Sequence, residues 1–389
     1  MSKETVAQRP KKPNPLLRFL AFLLTVLLVL GALALVVYRD RLNLDAVKRW
    51  LSYRSLETSD TGQAAPFTHA GGDRLSVGYL ENGILTASAA GAHYYSFSGE
   101  VYAEEVLAME NPVLSASSKA GVVYDAGGQS LFLFRGTQEA FDLSLEGGGD
   151  LLSARVNDSG WLAVTAQQSG YKGAVTVYNN HGEEVIQIRL SSTFVVDAAI
   201  SPDCKTVAVV TMNQGEGAFQ SQVLFYPVNQ KEPNAQISLG SMAVLDLDYE
   251  DKVLWVLGED RLVTIPPDGK EMKTYTFGRS YLKGCDLGGN GFALLLLGRY
   301  RAGAASQVLT IGEDGSVLAT LDLSAQVLDY DCAGTYCSLL TGQSLNIYSK
   351  ELQPYAALSP TLGARYAAQG TDGSALLADA QQAWLFIPD

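Results

Sequence analysis

An all-β fold, a β-propeller of four-stranded blades set behind one transmembrane α-helix, is what this 389-residue sequence predicts. Three features carry that reading. An uncharged apolar run, Phe19 to Val37, stands near the N-terminus. Helical periodicity disappears from about residue 64, giving way to short β-rich runs closed by Gly or Asp/Asn-Gly turns. Strand–turn–strand pieces then recur at intervals of about 36 to 50 residues, the length of a four-stranded blade.

The apolar run reads FLAFLLTVLLVLGALALVV. At 1.5 Å per residue it covers roughly 28 Å, close to the hydrocarbon thickness of a bilayer. Leu16 and Leu17 extend it, Arg18 can snorkel, and Tyr38-Arg39-Asp40-Arg41 marks an interface. Ala32-Leu33-Ala34 has the form of a signal-peptidase site, but Leu35-Val36-Val37 continues the run past it, so an uncleaved anchor is expected. The expected domains are a cytoplasmic basic tail (1–15), the transmembrane helix (16–38), a juxtamembrane helix or linker (39–63) and the propeller (64–389). In the linker Leu44, Val47 and Leu51 share helical spacing, and Trp50 and Tyr53 suit a membrane surface. A short basic tail before a single anchor and a long following domain place the tail inside and the propeller outside the cell membrane.

The charge is split. Residues 1–54 hold ten Lys/Arg against three Asp/Glu, whereas the remainder holds 18 against 38, within an overall net charge of −13. The basic part suits contact with membrane lipid through the N-terminal helix. An acidic body repels phosphate backbones, which excludes nucleic acid as a partner of the folded domain.

The repeat is visible when its hairpins are aligned. Val175-Thr-Val-Tyr178 and Val185-Ile-Gln-Ile flank NNHGEE; Val308-Leu-Thr-Ile311 and Val317-Leu-Ala-Thr-Leu-Asp-Leu323 flank GEDGS. Each is preceded by another hairpin, as in Val195-Val-Asp-Ala-Ala-Ile200, SPDCK and Val207-Ala-Val-Val210. Unit starts fall near residues 75, 113, 151, 194, 244, 281, 327 and 363, which predicts eight blades, with seven as the alternative. The last unit stops after three strands at Ala383-Trp-Leu-Phe-Ile387, and Ala65-Pro-Phe-Thr-His69 is expected to supply its outer strand, leaving no open edge.

Ser201-Pro202-Asp203-Cys204-Lys205 resembles the SPDGK turn of TolB-like, WD40-like and quinoprotein-like propellers, with Cys in place of the usual Gly. Pro267-Asp268-Gly269-Lys270 shares its core, while the Trp-Asp pairs of true WD40 repeats are absent. The layout, with the Trp50-to-Leu56 stretch, resembles an uncharacterised bacterial family of membrane-anchored propellers known only as a domain of unknown function. That resemblance covers nearly the whole chain and implies no activity.

The search for chemistry gives no catalytic, cofactor-binding or metal-binding residues. His69, His93 and His181 show no metal-ligand spacing and read as structural. There is no G-x-S-x-G, and Gly147-Gly148-Gly149 reads as a turn between blades because no GK[ST] follows. Cys332 and Cys337 flank a hairpin turn, as a disulfide or as two half-buried thiols; Cys204 and Cys285 have no evident partner. Asp197, Asp246 and Asp329 occupy matching places in three innermost strands, in VVD, VLD and VLD contexts. They read either as an acidic channel mouth able to hold a cation or a basic partner segment, or as acceptors of backbone hydrogen bonds. Tyr94, Tyr95, Tyr281, Tyr300 and Tyr366 read as a recognition face or as sheet packing, and Trp161, Trp255 and Trp384 as core. The expected function is a non-catalytic protein-binding or scaffold module at the cell surface. The alternatives are a cell-wall or glycan binder and a quinoprotein-like cofactor protein.

Overall fold

The structure, a computed structural model, describes residues 15–37, 44–144, 149–215, 217–250, 252–267 and 269–388. The basic tail before Pro15, the interfacial Tyr38-to-Arg41 stretch, Gly147, Gly148 and Asp268 lie outside these residues. The chain forms two compact units, Met1–Tyr53 and Arg54–Asp389.

The first unit holds two helices. The apolar run is helical, as expected, within α1, Pro15–Val37. Its described side chains cover only residues 19–30, and among the described residues no helix is long and apolar enough to cross a membrane. Helix α2, Leu44–Tyr53, sets Val47, Trp50 and Leu51 on one stripe by their i, i+3, i+4 spacing, and all three are exposed.

The second unit is an all-β propeller of eight four-stranded antiparallel sheets. The innermost strands are Ser76–Leu80, Pro112–Ala116, Leu151–Val156, Phe194–Ile200, Val244–Glu250, Tyr281–Gly289, Val327–Ala333 and Tyr366–Gln369, in blades 1 to 8. Each starts within three residues of the position expected from the repeat. Every inner strand touches the next around a closed ring. They run in the same direction, as the parallel bridge Gly289–Gly334 and the bonds from Ala367 and Gln369 to Asp329 and Asp331 require. All inner strands therefore begin on one face of the disc, the N-face, and end on the other, the C-face.

The ring closes as the sequence suggests. Blade 8 has three strands from the C-terminus, and its outermost strand is Phe67–Thr68, paired with Ala383 and Gln382. Residues before this strand join the same blade: Ala64 N donates to Leu385 O at 2.9 Å and Ile387 N to Gly62 O at 2.8 Å. The compact unit that holds the propeller extends back to Arg54, and Gly62, Gln63 and Ala64 pair with the final blade.

The core lies between blades. Val175, Val177, Ile186 and Ile188 of blade 3 pack on Val195, Ala198, Val207 and Val209 of blade 4, and similar clusters join the other neighbours from blade 1 to blade 8. A middle strand such as Phe292–Gly298 is buried on both faces, which is why it reads as a continuous apolar run instead of alternating. Trp255 and Trp384 are core residues as expected, while Trp161 is half-buried against its cluster.

Candidate functional site

The inner strands share a feature the sequence does not show directly. Five of them carry a β-bulge at the same place, between Leu151 and Ser153, Val195 and Asp197, Val244 and Asp246, Leu282 and Gly284, and Val327 and Asp329. A bulge sets two residues against one on the partner strand and re-aims the side chains beside it. In blades 4, 5 and 7 the residue after the bulge is an Asp that bonds to another blade. In blades 3, 5 and 7 the extra residue is a leucine exposed on the N-face, whereas Val196 of blade 4 packs on the core and Lys283 of blade 6 is half-buried.

Asp197, Asp246 and Asp329 are therefore equivalent, as their contexts suggest, and each follows a bulge. In each, Oδ1 accepts the next residue's N–H: Ala198 at 2.8 Å, Leu247 at 2.9 Å and Tyr330 at 3.0 Å. Their other contacts are with side chains and backbone of the protein itself. Asp197 Oδ1 also accepts from Ser153 Oγ at 2.5 Å, and its Oδ2 accepts from Arg155 Nε at 2.8 Å. Arg155 Nη2 lies 2.6 Å from Asp197 Oδ2 and 2.5 Å from Asp246 Oδ1, so one guanidinium bridges both carboxylates. Asp329 Oδ2 accepts the Ala367 N–H of blade 8 at 2.8 Å. Two of the three thus hold the protein's own cation, and the third holds a backbone amide. None of them lines the channel cavity.

That cavity, about 600 Å³, lies along the axis and opens on the C-face; inner strands or first hairpin turns of all eight blades line it. Its carboxylates are Glu81, Asp158, Asp248, Glu250 and Asp331, and its one cation among the described residues is Arg155. Asp248 and Asp331 sit two residues beyond Asp246 and Asp329, on the same side of their strands. That D-x-D spacing was the signal for them in the sequence; Arg155, two residues beyond Ser153, had the same signal in basic form. Burial raises the pKa of Asp248, Asp286, Asp329 and Asp331, that of Asp329 to about 6, with backbone N–H donors working against burial at each. Asp331 bonds to Asp286 and also accepts the Gln369 N–H at 2.6 Å.

Among the described residues no group of three or more His, Cys, Asp or Glu side chains could hold a metal ion. His69 is buried with Nε2 3.1 Å from Asp379 O, and His93 stacks on Tyr95 with its pKa lowered by burial. His181 lies exposed in its turn. Cys332 and Cys337 are direct cross-strand partners, both buried and both free thiols rather than a disulfide. Cys204 has φ +57°, the left-handed conformation a Gly normally supplies in such a turn.

The N-face is the apolar one. The extra residues of three bulges, Leu152, Leu245 and Leu328, are 37%, 58% and 45% exposed near the starts of their inner strands, on the face opposite the cavity's opening. Phe194 and Tyr281, which start inner strands, add to this set. Of the exposed large apolar side chains described in the propeller, only Met272 and a few on outermost strands, such as Val101 and Val317, lie elsewhere. The five tyrosines divide accordingly: Tyr94 and Tyr95 are buried and Tyr366 half-buried, whereas Tyr281 and Tyr300 are exposed on the N-face.

These features define the protein as an eight-bladed β-propeller with a polar, internally compensated channel and one apolar face. The chain belongs to DUF5711, a family of unknown function, whose profile matches residues 53–353. No curated protein matches its sequence. In fold it is similar to the C-terminal WD40 domain of Sif2 (12% identity, TM-score 0.57, covering 83% of this chain and 99% of that one). It is also similar to BamB from Moraxella catarrhalis (12% identity, TM-score 0.51, 83% and 99% covered). The computationally designed Ika8 protein is a third such structure (11% identity, TM-score 0.57, 86% and 98% covered).

Proposed function

We propose that this protein is a membrane-anchored, extracytoplasmic propeller that binds a protein partner on its N-face and does no chemistry of its own. The observation that carries the reading is the exposure of Leu152, Leu245 and Leu328 at the starts of three inner strands on one face of the disc. Bulges hold these leucines outward on blades 3, 5 and 7, with Phe194 of blade 4 and Tyr281 of blade 6 exposed on the same face. A folded domain that gathers exposed apolar side chains on one face marks it as an interaction site. The channel below supports a scaffold over an enzyme, because Arg155 and backbone amides already occupy Asp197, Asp246 and Asp329.

The anchor rests on the sequence, where the uncharged run Phe19 to Val37 would cover roughly 28 Å as a helix, close to the thickness of a bilayer core. The exposed stripe of Val47, Trp50 and Leu51 on α2 suits a helix lying on a membrane surface. The short basic tail ahead of α1 favours an outward-facing propeller.

The test is site-specific photo-crosslinking in cells with the full chain. A photoreactive amino acid at Leu245 or Leu328 should give a discrete protein adduct, and one at Lys205 on the C-face should not. Equal adducts from both faces, or none from the N-face, would defeat the assignment. External protease added to intact cells should cut the propeller; full protection would place it inside.

A further inference from the structure

Blade 6 carries a basic, aromatic patch on a domain that is otherwise strongly acidic. The segment leading into its inner strand is Phe277-Gly-Arg-Ser-Tyr281, and the loop after its second strand begins Gly298-Arg-Tyr-Arg301. Tyr281 pairs with Gly298 in register, so the two segments leave the sheet side by side on the N-face. They bring together Arg279, Arg299, Arg301, Tyr281 and Tyr300, all exposed, with the two tyrosines 45% and 76% accessible.

The loop is braced from below. Lys283, the extra residue of blade 6's bulge, donates from Nζ to Arg301 O at 2.7 Å, and a Cβ on Gly298 would come within 2.5 Å of the Lys283 Cε. Lys283 thus serves as a strut beneath the patch, and a larger residue at position 298 would push its side chain aside. The three arginine side chains make no ion pair among the described residues. The neighbouring Asp260 is engaged by Arg261 at 3.1 Å, and Asp322 lies at the outer edge of the sheet.

We infer that this patch docks an acidic segment of the protein partner, its Asp/Glu side chains on Arg279, Arg299 and Arg301 and its apolar side chains on Leu245 and Leu328 of the flanking blades. The inference rests on the N-face docking reading above. Guanidinium forks take carboxylates in bidentate pairs, and exposed Tyr and Arg are the residue types enriched at interfaces. Residues 55–389 hold 38 Asp/Glu against 18 Lys/Arg, so an acidic segment is repelled from most other surface, and the patch fixes where it lands. A narrow segment fits better than a flat lipid surface, which would also press its phosphates on exposed Glu259 of the same face.

The test uses the full chain in non-ionic detergent and a labelled peptide, Glu-Leu-Glu-Phe-Glu-Leu-Glu, read by fluorescence polarisation. The acidic peptide should bind at low salt about tenfold more tightly than its Gln-for-Glu isostere and weaken as salt rises. Arg299→Glu/Arg301→Glu should lose about tenfold in affinity, while Lys205→Glu/Lys231→Glu, the same charge change on the C-face, should not. Equal binding of the two peptides, or equal loss in both variants, overturns the inference. So does a parent chain that ignores the peptide but gathers on phosphatidylglycerol vesicles more than Arg299→Glu/Arg301→Glu does, which assigns the patch to lipid headgroups. If the Leu245 crosslink persists in Arg299→Glu/Arg301→Glu while peptide binding never depended on the arginines, the docking face stands and this inference alone falls.

Discussion

Asp331 of blade 7 hydrogen-bonds to Asp286 of blade 6 inside the channel, two carboxyl groups sharing one proton across a blade joint. Both carboxyl groups have their pKa raised, so the pair holds a proton more tightly than free carboxylates would. Burial is the largest cause at both, and repulsion between two carboxylates at hydrogen-bond distance forbids joint ionisation.

A pH dependence follows. Asp248, Asp286, Asp329 and Asp331 all hold protons more readily in the folded chain than in the unfolded one, where Asp titrates near about 3.9. A raised carboxyl pKa means the folded state binds the extra proton, so stability falls as pH rises from about 4 to about 6. Asp203, held low chiefly by its hydrogen bond from Ser201, opposes this only below that window. His93, its pKa lowered by burial, opposes it within the window, and Glu139, raised by burial to about 7, adds to the fall, so the four aspartates and Glu139 outnumber the one opposing group. The urea midpoint should be higher at pH 4.5 than at pH 7.5. Asp331→Asn keeps an acceptor for Gln369 N–H and a donor for Asp286, so it should gain on the order of 1 kcal/mol at pH 7.5 and flatten the profile. A midpoint that climbs between pH 4.5 and 7.5 would refute the shared proton.

Arg155 is the converse case. Its side chain and that of Asp197 are mostly buried, at 23% and 11% exposure, whereas Asp246 is 39% exposed. Removing the guanidinium leaves Asp197 a buried carboxylate without its partner, so Arg155→Ala should cost about 3 kcal/mol. Asp246→Asn should cost under about 1 kcal/mol, because solvent screens the more open arm. Chemical denaturation of the two variants measures both, and equal losses would show that the bridge is not weighted toward Asp197.

The contrast between Asp197 and Arg155 shows what a sequence can reveal here. Repeat spacing located the start of all eight blades, and the truncated last unit announced the closing strand, because blade geometry imposes period and turn chemistry on the chain. VVD, VLD and VLD marked three equivalent carboxylates for the same reason. Their partner was not legible: Arg155 lies 42 residues from Asp197 and 91 from Asp246, and only the closed ring brings neighbouring inner strands together. The bulges were hidden as well. One extra residue in a strand leaves the alternation of apolar and polar positions too slightly disturbed to read, yet it decides that Leu245 faces solvent and Asp246 faces Arg155.

Cys204 offers a stability test of the one turn that departs from its motif. A non-Gly residue at φ +57° carries backbone strain that Gly lacks. Its thiol accepts only a bond from Asn157 Nδ2 at 3.3 Å in return. Cys204→Gly should raise stability by about 0.5–1 kcal/mol, seen as a higher urea midpoint with unchanged slope. A lower midpoint would mean the Asn157 contact outweighs the strain.

Thiol labelling should separate the four cysteines. Cys332 and Cys337 are both buried out of reach of reagent, and burial also lifts the Cys332 thiol well above its ordinary range. Cys204 alone should react with Ellman's reagent in the folded chain, since Cys285 also has its pKa raised by burial. Release of more than one thiol equivalent before denaturant is added would contradict this packing.

The last prediction concerns closure. Phe67–Thr68 covers Gln382–Phe386, and the Phe67 ring also leans on blade 1, with its centroid 5.6 Å from that of Tyr95. Gly99 makes that approach possible: a Cβ there would meet the Phe67 Cβ at 2.5 Å. The strand is therefore a clasp between the last blade and the first, and its loss exposes a long unpaired edge rich in apolar residues. A chain shortened to start at residue 54 should melt like the full chain, because the propeller's contacts begin there. One shortened to start at residue 72 should lose on the order of 10 °C in Tm and aggregate through its open edge. Gly99→Leu, which leaves the strand in place but displaces Phe67, should lower Tm by a smaller amount. Equal melting of the chains starting at 54 and 72 would show that inter-blade packing alone holds the ring shut.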